Sequence, residues 1–209
     1  VKAFSFICTM WKTSQLLNDP QISLQLRPLT YTRHLRELWV GLSTIEEKWT
    51  DFIDELPADI YLLGSLVPDP TLLIEIKQLA SNEALFWEEQ WVAYRSDHEV
   101  SIPSNRKALT YRPTYITYPE ELLSTNNLAL KTEIRPNDFD LSDLRERGNT
   151  VIHPKNCYID PSADISGTIL DASQGPIYIG ANTKIQIGTL IQGPAAILDG
   201  AITNLGAKI

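Results

Sequence analysis

The residues of this sequence that are best suited to bind a charged ligand lie in the stretch RPLTYTRHLR, residues 27–36, which carries three arginines. A guanidinium group binds a phosphate through two parallel hydrogen bonds and stays charged at any physiological pH. One hypothesis is therefore that at least Arg27 and Arg33 contact a nucleotide or sugar phosphate. The favoured interpretation is that the three arginines are solvated or are paired with nearby carboxylates, those of Glu37, Glu46 or Glu47.

Cysteine, histidine and aspartate are placed less favourably for chemistry. Two cysteines, Cys8 and Cys157, are too few for a disulfide framework or a cysteine-based metal site. The three histidines are scattered, and we interpret them as solvated or satisfied side chains. The aspartates between residues 138 and 143 have the spacing of caps and turns rather than of a metal loop. These residues are His34, His98 and His153, and Asp138, Asp140 and Asp143.

Four tryptophans, Trp39, Trp49, Trp87 and Trp91, could stack on a nucleobase. Trp49 lies on the apolar face of a predicted helix, and Trp87 and Trp91 flank a predicted hairpin turn. Large aromatic side chains most often contribute to a protein core. Core packing is therefore the favoured interpretation for all four.

Composition excludes several classes of partner. The chain has 209 residues, 43% of them hydrophobic, which is enough for one large or two smaller domains. A net charge of −8 repels a phosphate backbone, and no cluster of lysine and arginine reverses it locally. The longest apolar runs fall short of the roughly 18 residues that span a bilayer, and the start lacks a signal-peptide pattern. We expect a cytoplasmic protein that binds neither nucleic acid nor membrane.

The first part of the sequence predicts the helices and strands of an α/β domain. STIEEKWTDFIDEL has its apolar residues at helical spacing, and Thr44 and Glu47 have the spacing of a capping box. The helix is therefore predicted to begin after Thr44. A second short helix is predicted near LSDLRER, within a polar linker of residues 108–149.

Between these helices the sequence alternates strand and helix. A buried strand is predicted at Tyr61–Leu63, and Asp69 is predicted to cap a helix that has Pro70 at its first position. Two aromatic-rich strands on either side of Glu88 and Glu89 predict a hairpin. Such an open sheet binds its ligand in the crevice beyond the carboxyl ends of its strands.

The last part of the sequence has a six-residue period. Isoleucine occupies five of six positions in phase, threonine occupies the sixth, and glycines lie between them. This period fits neither a helix nor a single long strand, and predicts short strands separated by tight turns, as in a solenoid. The pattern continues less regularly upstream at Ile152, Ile159 and Ile165. The positions in phase are Ile179, Ile185, Ile191, Ile197, Thr203 and Ile209.

The period resembles that of the hexapeptide-repeat left-handed parallel β-helix. Together with RPLT, LTYTR, TIEEKW and LLGSLVPDPTLLIEIKQL, the segment GPIYIGANTKIQIGTLIQGPAAILDGAITNLGAKI is similar to a Bacteroidetes-type group of sugar nucleotidyltransferases. These are related to the bifunctional N-acetylglucosamine-1-phosphate uridyltransferase/glucosamine-1-phosphate acetyltransferase. The resemblance covers most of the chain. It implies a reduced nucleotidyltransferase-like α/β domain at residues 1–146 and the start of a left-handed β-helix at residues 147–209.

The resemblance also implies the site residues. Two segments correspond to the family's binding site: RPLT, and the glycine and serine that follow the predicted strand in LLGSL. The resemblance therefore implies that a nucleotide or sugar phosphate is bound at Arg27, Pro28, Leu29, Thr30, Arg33, Gly64 and Ser65. Five positions between residues 21 and 35 depart from the pattern of the family. Its phosphate-cradling glycines fall at Gln21 and Ser23, its basic residue falls at Gln25, and its proline–lysine pair falls at His34 and Leu35.

Cofactors follow from the same comparison. Mg²⁺ would serve nucleotidyl transfer, but the aspartate that holds it in the family is Ser65 here, and a hydroxyl is a weaker, uncharged ligand. Acetyl-CoA would serve acyl transfer in the full-length protein, whose catalytic histidine we expect beyond Ile209. The missing initiator Met and the end at Ile209 lead us to expect a fragment. Solenoids of this kind associate as trimers, and the same is expected here.

Two functions remain open at this stage. The first is transfer of a nucleotidyl group to a sugar-1-phosphate, acyl transfer to an amino sugar, or both, in nucleotide-sugar metabolism. The second is a catalytically degenerate module that binds a ligand or covers the end of the β-helix. The departures at Gln21, Ser23, Leu35 and Ser65 favour the second function, whereas the retained RPLT favours ligand binding.

Overall fold

The computed structural model describes residues 15–97 and 101–209. Cys8 and His98 lie outside the described residues. The chain divides into two compact units. Within the described residues, unit 1 comprises residues 15–39, 43–97 and 101–123, and unit 2 comprises residues 40–42 and 124–209. The domain boundary predicted after residue 146 remains a prediction.

The secondary structure alternates helices and strands early and becomes strand-rich later. The α-helices are α1 Pro20–Gln25, α2 Ile45–Ile53, α3 Pro70–Lys77, α4 Pro119–Glu133 and α5 Leu141–Glu146, with short 3₁₀ helices at Leu35–Glu37 and Pro154–Asn156. The first strands are β1 Leu16–Leu17, β2 Trp39–Val40, β3 Ser43–Thr44, β4 Ile60–Leu63, β5 Glu83–Trp87, β6 Gln90–Arg95 and β7 Asn105–Ala108. The later strands are β8 Thr150–Ile152, β9 Cys157–Ile159, β10 Asp164–Ile165, β11 Ile169–Asp171, β12 Ile177–Ile179, β13 Lys184–Ile185, β14 Leu190–Gln192 and β15 Ala195–Ile197.

Unit 1 is built on a five-stranded mixed sheet with strand order β1-β4-β6-β5-β7. Strand β4 pairs parallel with β1, and β7 pairs parallel with β5. Strand β6 is antiparallel to both of its neighbours, β4 and β5. Four strands therefore run in one direction, and their carboxyl ends lie at the same edge of the sheet.

The local signals in the sequence of unit 1 are confirmed. The Thr44 hydroxyl accepts a hydrogen bond from the Glu47 backbone N–H, and the Glu47 carboxylate accepts one from the Thr44 N–H, so α2 begins with the predicted capping box. The Asp69 carboxylate accepts a bond of 2.9 Å from the Leu72 N–H at the start of α3. Strands β5 and β6 form the predicted hairpin.

The tryptophans separate into two environments. Trp49 is fully buried, and its indole N–H donates a 2.7 Å hydrogen bond to the Leu66 carbonyl oxygen. Trp87 and Trp91 are half-buried. Trp39 is 43% exposed, so the prediction that it packs in the core is wrong. Trp39 is preceded by buried Leu38 and followed by buried Val40, and strand alternation turns the side chain between them outward.

Unit 2 contains three sheets made only of parallel strands. Their orders are β14-β11-β8, β15-β12-β9 and β10-β13. Each pairing joins residues 18 to 21 positions apart, as for Ile177 with Ala195 and Ile169 with Leu190. Successive strands along the chain belong to different sheets, so the chain returns to each sheet after about 20 residues.

The six-residue period corresponds to burial in unit 2. The in-phase residues from Ile179 to Thr203 are all buried, and the isoleucines among them belong to one hydrophobic core. Ile209 is 49% exposed. Ile152 is 40% exposed while Val151 is buried, so the expectation that Ile152 continues the apolar row is wrong. Because alternate strand residues face opposite sides, β8 can turn only its middle residue inward.

Two asparagines, the buried Asn149 and the half-buried Asn137, hold unit 2 together without having been predicted. The Asn149 amide donates to the carbonyl oxygens of Leu144 and Ile165, and its oxygen accepts from the N–H and hydroxyl of Thr168. Asn137 exchanges two hydrogen bonds with the Ile159 backbone. Buried backbone groups need partners, and these side chains supply them where the strands end.

No helix in the described part of the chain combines the length and the apolar character needed to cross a bilayer.

Candidate functional site

A cleft of about 550 Å³ lies at the carboxyl edge of the sheet in unit 1, the location that the strand order predicts for a ligand. Its walls come from three segments: the residues that follow β1, the turn between β5 and β6, and the residues before α4. The lining residues are Asp19, Gln21, Ile22, Gln25, Trp87, Glu88, Glu89, Gln90, Trp91, Tyr115, Thr117 and Tyr118. We call this space the edge cleft.

One wall of the edge cleft depends on Asp19. One oxygen of its carboxylate accepts hydrogen bonds from the backbone N–H groups of Gln21 and Ile22 and so caps α1. The other oxygen accepts a 3.2 Å bond from the indole N–H of Trp91. Trp91 also packs edge-on against Tyr94, with 5.6 Å between ring centroids. The Trp91 ring is therefore fixed before any ligand arrives.

The opposite wall is an irregular segment held by backbone and side-chain bonds. Tyr115 forms an isolated antiparallel bridge with Leu66, just beyond the end of β4. The Gln25 amide donates a 3.3 Å bond to the Tyr118 hydroxyl. Glu121 accepts bonds from the N–H and hydroxyl of Thr117 at 2.8 and 2.7 Å. These bonds position Tyr115, Thr117 and Tyr118 beside α1.

Negative charge dominates the edge cleft. Its lining includes Asp19, Glu88 and Glu89, and none of the described residues that line it is a lysine, arginine or histidine. Burial raises the pKa of Tyr115, and the charges of Glu121 and Glu88 raise it further, against the lowering effect of Arg112. The Tyr115 phenol therefore keeps its proton, and the site favours cations and hydrogen-bond donors over anions.

The predicted arginines lie outside the edge cleft. Arg27 is exposed, and its guanidinium lies 5.2 Å from the Tyr31 ring centroid. Arg33 is also exposed, and neither arginine forms an ion pair with a carboxylate of the described residues. Arg36 differs, because its Nε lies 3.5 Å from Glu46. The predicted carboxylate pairing is thus confirmed for Arg36 alone.

The remaining RPLT residues form an exposed turn after α1. Pro28 follows a cis peptide bond, and Leu29 is exposed. The Thr30 hydroxyl donates a 2.5 Å bond to the Ser23 carbonyl oxygen, which ties the turn to α1. None of these residues lines the edge cleft.

The positions at which the sequence resemblance places a phosphate loop are helical in this chain. Gln21, Ser23 and Gln25 lie within α1, whose first N–H groups are already bonded to Asp19. His34 is exposed, and Leu35, at the expected lysine position, is fully buried. A capped helix leaves no free row of backbone N–H groups to surround a triphosphate.

Gly64 and Ser65 are both buried where β4 ends. The Gly64 N–H donates a 2.7 Å bond to the Leu17 carbonyl oxygen, and an added side-chain carbon would lie 2.6 Å from that oxygen. Gly64 therefore serves the close approach of β1 and β4. Ser65 is fully buried, and its hydroxyl has no hydrogen-bond partner among the residues that the structure describes.

The residues at Ser65 do not fit Mg²⁺. A magnesium ion needs six oxygen ligands and keeps several waters, whereas this position offers one neutral oxygen with no exposed surface. Across residues 15–97 and 101–209, no group of three or more histidine, cysteine, aspartate or glutamate side chains is placed to hold a metal.

Unit 2 has its own, smaller cleft of about 410 Å³, which includes the aspartates of the predicted linker. The Asp140 carboxylate accepts bonds from the N–H groups of Ser142 and Asp143 and caps α5, which confirms the predicted capping role. Arg147 lies 3.7 Å from Asp143 and is bonded to Asp164 at 2.5 Å. Most of the charged side chains described for this cleft are therefore already bonded to other groups of unit 2.

Cys157 and His153 lie outside both clefts. Cys157 is buried within the core of unit 2, and burial raises its pKa to about 11, so the thiol is inert at neutral pH. His153 is exposed, in a left-handed backbone conformation before a 3₁₀ helix.

The sequence predicts a ligand crevice beyond the carboxyl ends of the strands but not the residues that line the edge cleft. The succession of strands and helices along the chain indicated an open sheet, and the hairpin prediction placed Glu88 and Glu89 in a turn. The bond between Asp19 and Trp91 joins residues 72 positions apart, and no local pattern signals it. The segment from Tyr115 to Tyr118 carried no periodic signal. No protein-family model matches this chain, and a search of the curated proteins finds no match.

Proposed function

We propose that this chain comes from a protein of nucleotide-sugar metabolism, related to the sugar nucleotidyltransferases with a hexapeptide-repeat β-helix, whose unit 1 binds a ligand without transferring a nucleotidyl group. The main support is the structure at two places, helix α1 and residue Ser65. The segment expected to cradle the triphosphate is a capped helix, and the position expected to hold Mg²⁺ is a buried hydroxyl. The cytoplasmic location predicted from the sequence is part of this proposal.

Electrostatics support the loss of nucleotidyl transfer. This reaction depends on positioning the phosphates and on stabilising their negative charge with cations. The lining of the edge cleft instead contributes three carboxylates, so a triphosphate there would be repelled. The cleft nevertheless lies where an open sheet binds its ligand, and its volume is within the usual range for small molecules.

The three parallel sheets of unit 2 support the proposal of a left-handed β-helix. Their short strands recur after about 20 residues, close to three hexapeptides, and the in-phase isoleucines are buried. Several outward residues of unit 2 are apolar and exposed, including Ile187, Ile202 and Leu205. We therefore propose that unit 2 associates as a trimer. Sedimentation at micromolar concentration should give three times the mass of the chain, and a monomer would contradict the assembly.

Calorimetric titration of the chain with UTP and dTTP, each with and without Mg²⁺, tests the function. We expect no Mg²⁺-dependent heat with either nucleotide, because neither α1 nor Ser65 provides the groups that the complex needs. Saturable binding that requires Mg²⁺ would overturn the proposal and restore nucleotidyl transfer as the function of unit 1.

A second candidate is phosphate binding at the exposed turn after α1. It is favoured by Arg27 and Arg33, which are exposed and make no ion pair with carboxylates of the described residues. The double variant Arg27→Ala/Arg33→Ala would then lose any metal-independent binding of a sugar phosphate. Arg36→Ala is the control of the same residue type, because Arg36 lies beside Glu46. Acyl transfer with acetyl-CoA is a proposal for the full-length protein only.

A further inference from the structure

We infer that the edge cleft binds an organic ammonium group, held between aromatic side chains and carboxylates. This inference rests on the proposal that unit 1 binds a ligand, and it names the chemistry of that ligand. Four of the twelve lining residues are aromatic and three are acidic. Aromatic faces and carboxylates both attract cations, so the two kinds of side chain favour the same ligand.

The aromatic part of the cleft is held in place in advance. Trp91 is fixed by its bond to Asp19 and by edge-on contact with Tyr94. Tyr118 is held by the Gln25 amide. Rings that are already ordered lose little conformational freedom when a ligand arrives, which makes a weak cation–π contact more effective.

Two arginines near the cleft are directed to other partners. Arg106 lies 4.3 Å from the Phe86 ring centroid and 3.4 Å from Glu89, in an ion pair whose side chains are 57% and 95% exposed. Exposed pairs of this kind are weak, so Glu89 keeps most of its attraction for a ligand. Arg112 is bonded to Glu121 and lies 5.5 Å from the Tyr115 ring centroid.

These two arginines also show that aromatic rings of unit 1 accept cations. Phe86 and Tyr115 each carry a guanidinium within the range of a cation–π contact. Trp87 and Trp91 line the cleft and are half-buried, so part of each ring remains accessible. An ammonium group with apolar substituents would contact these rings while it lies near Glu88 and Glu89.

Anionic and neutral ligands fit the cleft less well. A phosphate would meet three carboxylates, and Asp19 cannot turn away because both of its oxygens are bonded. A neutral polyol could donate hydrogen bonds to the carboxylates but would leave the negative potential uncompensated. The positive charge of the ligand is therefore the property to test.

Tryptophan fluorescence of the purified chain, titrated with choline, tests the inference. The control ligand is 3,3-dimethylbutan-1-ol, which has the shape of choline without its charge. We expect a saturable change with choline, because Trp87 and Trp91 line the cleft, and at least a fivefold weaker response to the alcohol. Equal responses, or no saturable response to choline up to the concentration at which the protein unfolds, would overturn the inference.

Variants connect the response to the cleft. Glu88→Gln and Glu89→Gln each remove one charge with little change in shape, and each should weaken choline binding by about 2- to 5-fold. Glu55→Gln is the matched control, because Glu55 pairs with Lys77 and does not line the cleft. A fluorescence change that is the same in all three variants would place the ligand elsewhere and overturn the inference.

The nucleotide titration separates the two proposals. Mg²⁺-dependent binding of UTP would reject the proposed loss of nucleotidyl transfer, whatever choline does. Absence of choline binding, with no UTP binding either, would reject the ammonium site alone and leave the loss of nucleotidyl transfer intact.

Discussion

The two units of this chain differ in how their sequences specify structure. In unit 2 a repeated interval of six residues corresponds directly to buried positions and to the parallel pairing of strands. In unit 1 the sequence signals single elements, such as the cap of α2, and the sheet then joins strands that are far apart, as in the pairing of Leu16 with Leu62. A periodic sequence therefore specifies register, whereas an aperiodic one specifies elements and leaves their assembly to long-range contacts.

The largest effect on stability is expected from the loss of an isoleucine that lies in phase with the six-residue period. Ile179→Ala removes a buried side chain of β12, which pairs with Ile159 and Ile197, and should lower the free energy of unfolding by about 2–5 kcal/mol. Ile74→Ala is the control of the same residue type, because Ile74 is exposed on α3 of unit 1, and it should change stability by less than about 0.5 kcal/mol.

Urea unfolding followed by far-UV circular dichroism and by tryptophan fluorescence gives the measurement for both isoleucine variants. All five tryptophans lie within the first 91 residues, so fluorescence reports on the early part of the chain. Equal losses in the two variants would show that the six-residue phase does not determine which positions matter.

A somewhat smaller loss is expected from Asn149→Ala, which tests a non-periodic contact within unit 2. The Ile165 carbonyl oxygen and the Thr168 N–H would lose the Asn149 side chain as a partner in a buried place, while the Leu144 carbonyl oxygen would keep only the Asn149 backbone N–H of its two bonds to this residue. The expected loss in the free energy of unfolding is about 2–3 kcal/mol, measured by urea unfolding. Asn204→Ala, at an exposed position, should be neutral. A neutral Asn149→Ala would mean that periodic burial alone stabilises unit 2.

A moderate loss of stability is expected when the helix cap at Asp69 in unit 1 is removed. Asp69→Ala removes the side chain that caps α3 and should cost about 0.5–2 kcal/mol in thermal or urea unfolding. Asp69→Asn keeps an oxygen in the same place and should retain most of the stability. If both variants lost the same amount, charge rather than capping would be the contribution of Asp69.

The smallest effect is expected at Glu121, and it depends on pH. Burial opposes the charged form, but bonds from Thr117 and from Arg112 outweigh it and lower the pKa of Glu121 below its ordinary value of 4.5. The pKa is lower in the folded than in the unfolded chain. The stabilisation is therefore present above about pH 4.5 and is lost as the pH falls through the folded pKa.

Glu121→Gln should accordingly lower the free energy of unfolding by about 0.5–1 kcal/mol at pH 7 and by much less at pH 3. Urea midpoints at the two pH values give the comparison. Glu120→Gln serves as the neighbouring control at an exposed position and should show no difference between the two pH values. A Glu121→Gln loss that is equal at both pH values would point to packing rather than charge.

Much of the secondary structure was predictable because its signals are local. Thr44 and Asp69 lie a few residues from the N–H groups that they cap, and side-chain periodicity identifies a buried face without reference to the rest of the fold. Trp39 was mispredicted because hydrophobicity alone does not distinguish the two faces of a short strand. Its side chain points outward because the side chains on either side of it, Leu38 and Val40, are buried in the core.

The candidate site was predictable only as a location. The carboxyl edge follows from strand order, but the edge cleft is built from contacts across the whole of unit 1, such as Gln25 with Tyr118. The arginines that chemistry favoured from the sequence turned out to lie on an exposed turn after α1. Residue type and spacing indicate what a segment could bind, whereas the fold determines which segments face the same space.

The short interval between paired strands in unit 2 has a consequence for how the chain folds. Each pairing closes a loop of only 18 to 21 residues, whereas β1 and β4 of unit 1 meet across 46 positions. Closing a loop costs more entropy as it grows, though only logarithmically, and chains rich in short-range contacts fold faster. Unit 2 can therefore form one strand pairing at a time, and an insertion at one of its turns would slow a single closure without disturbing those that follow.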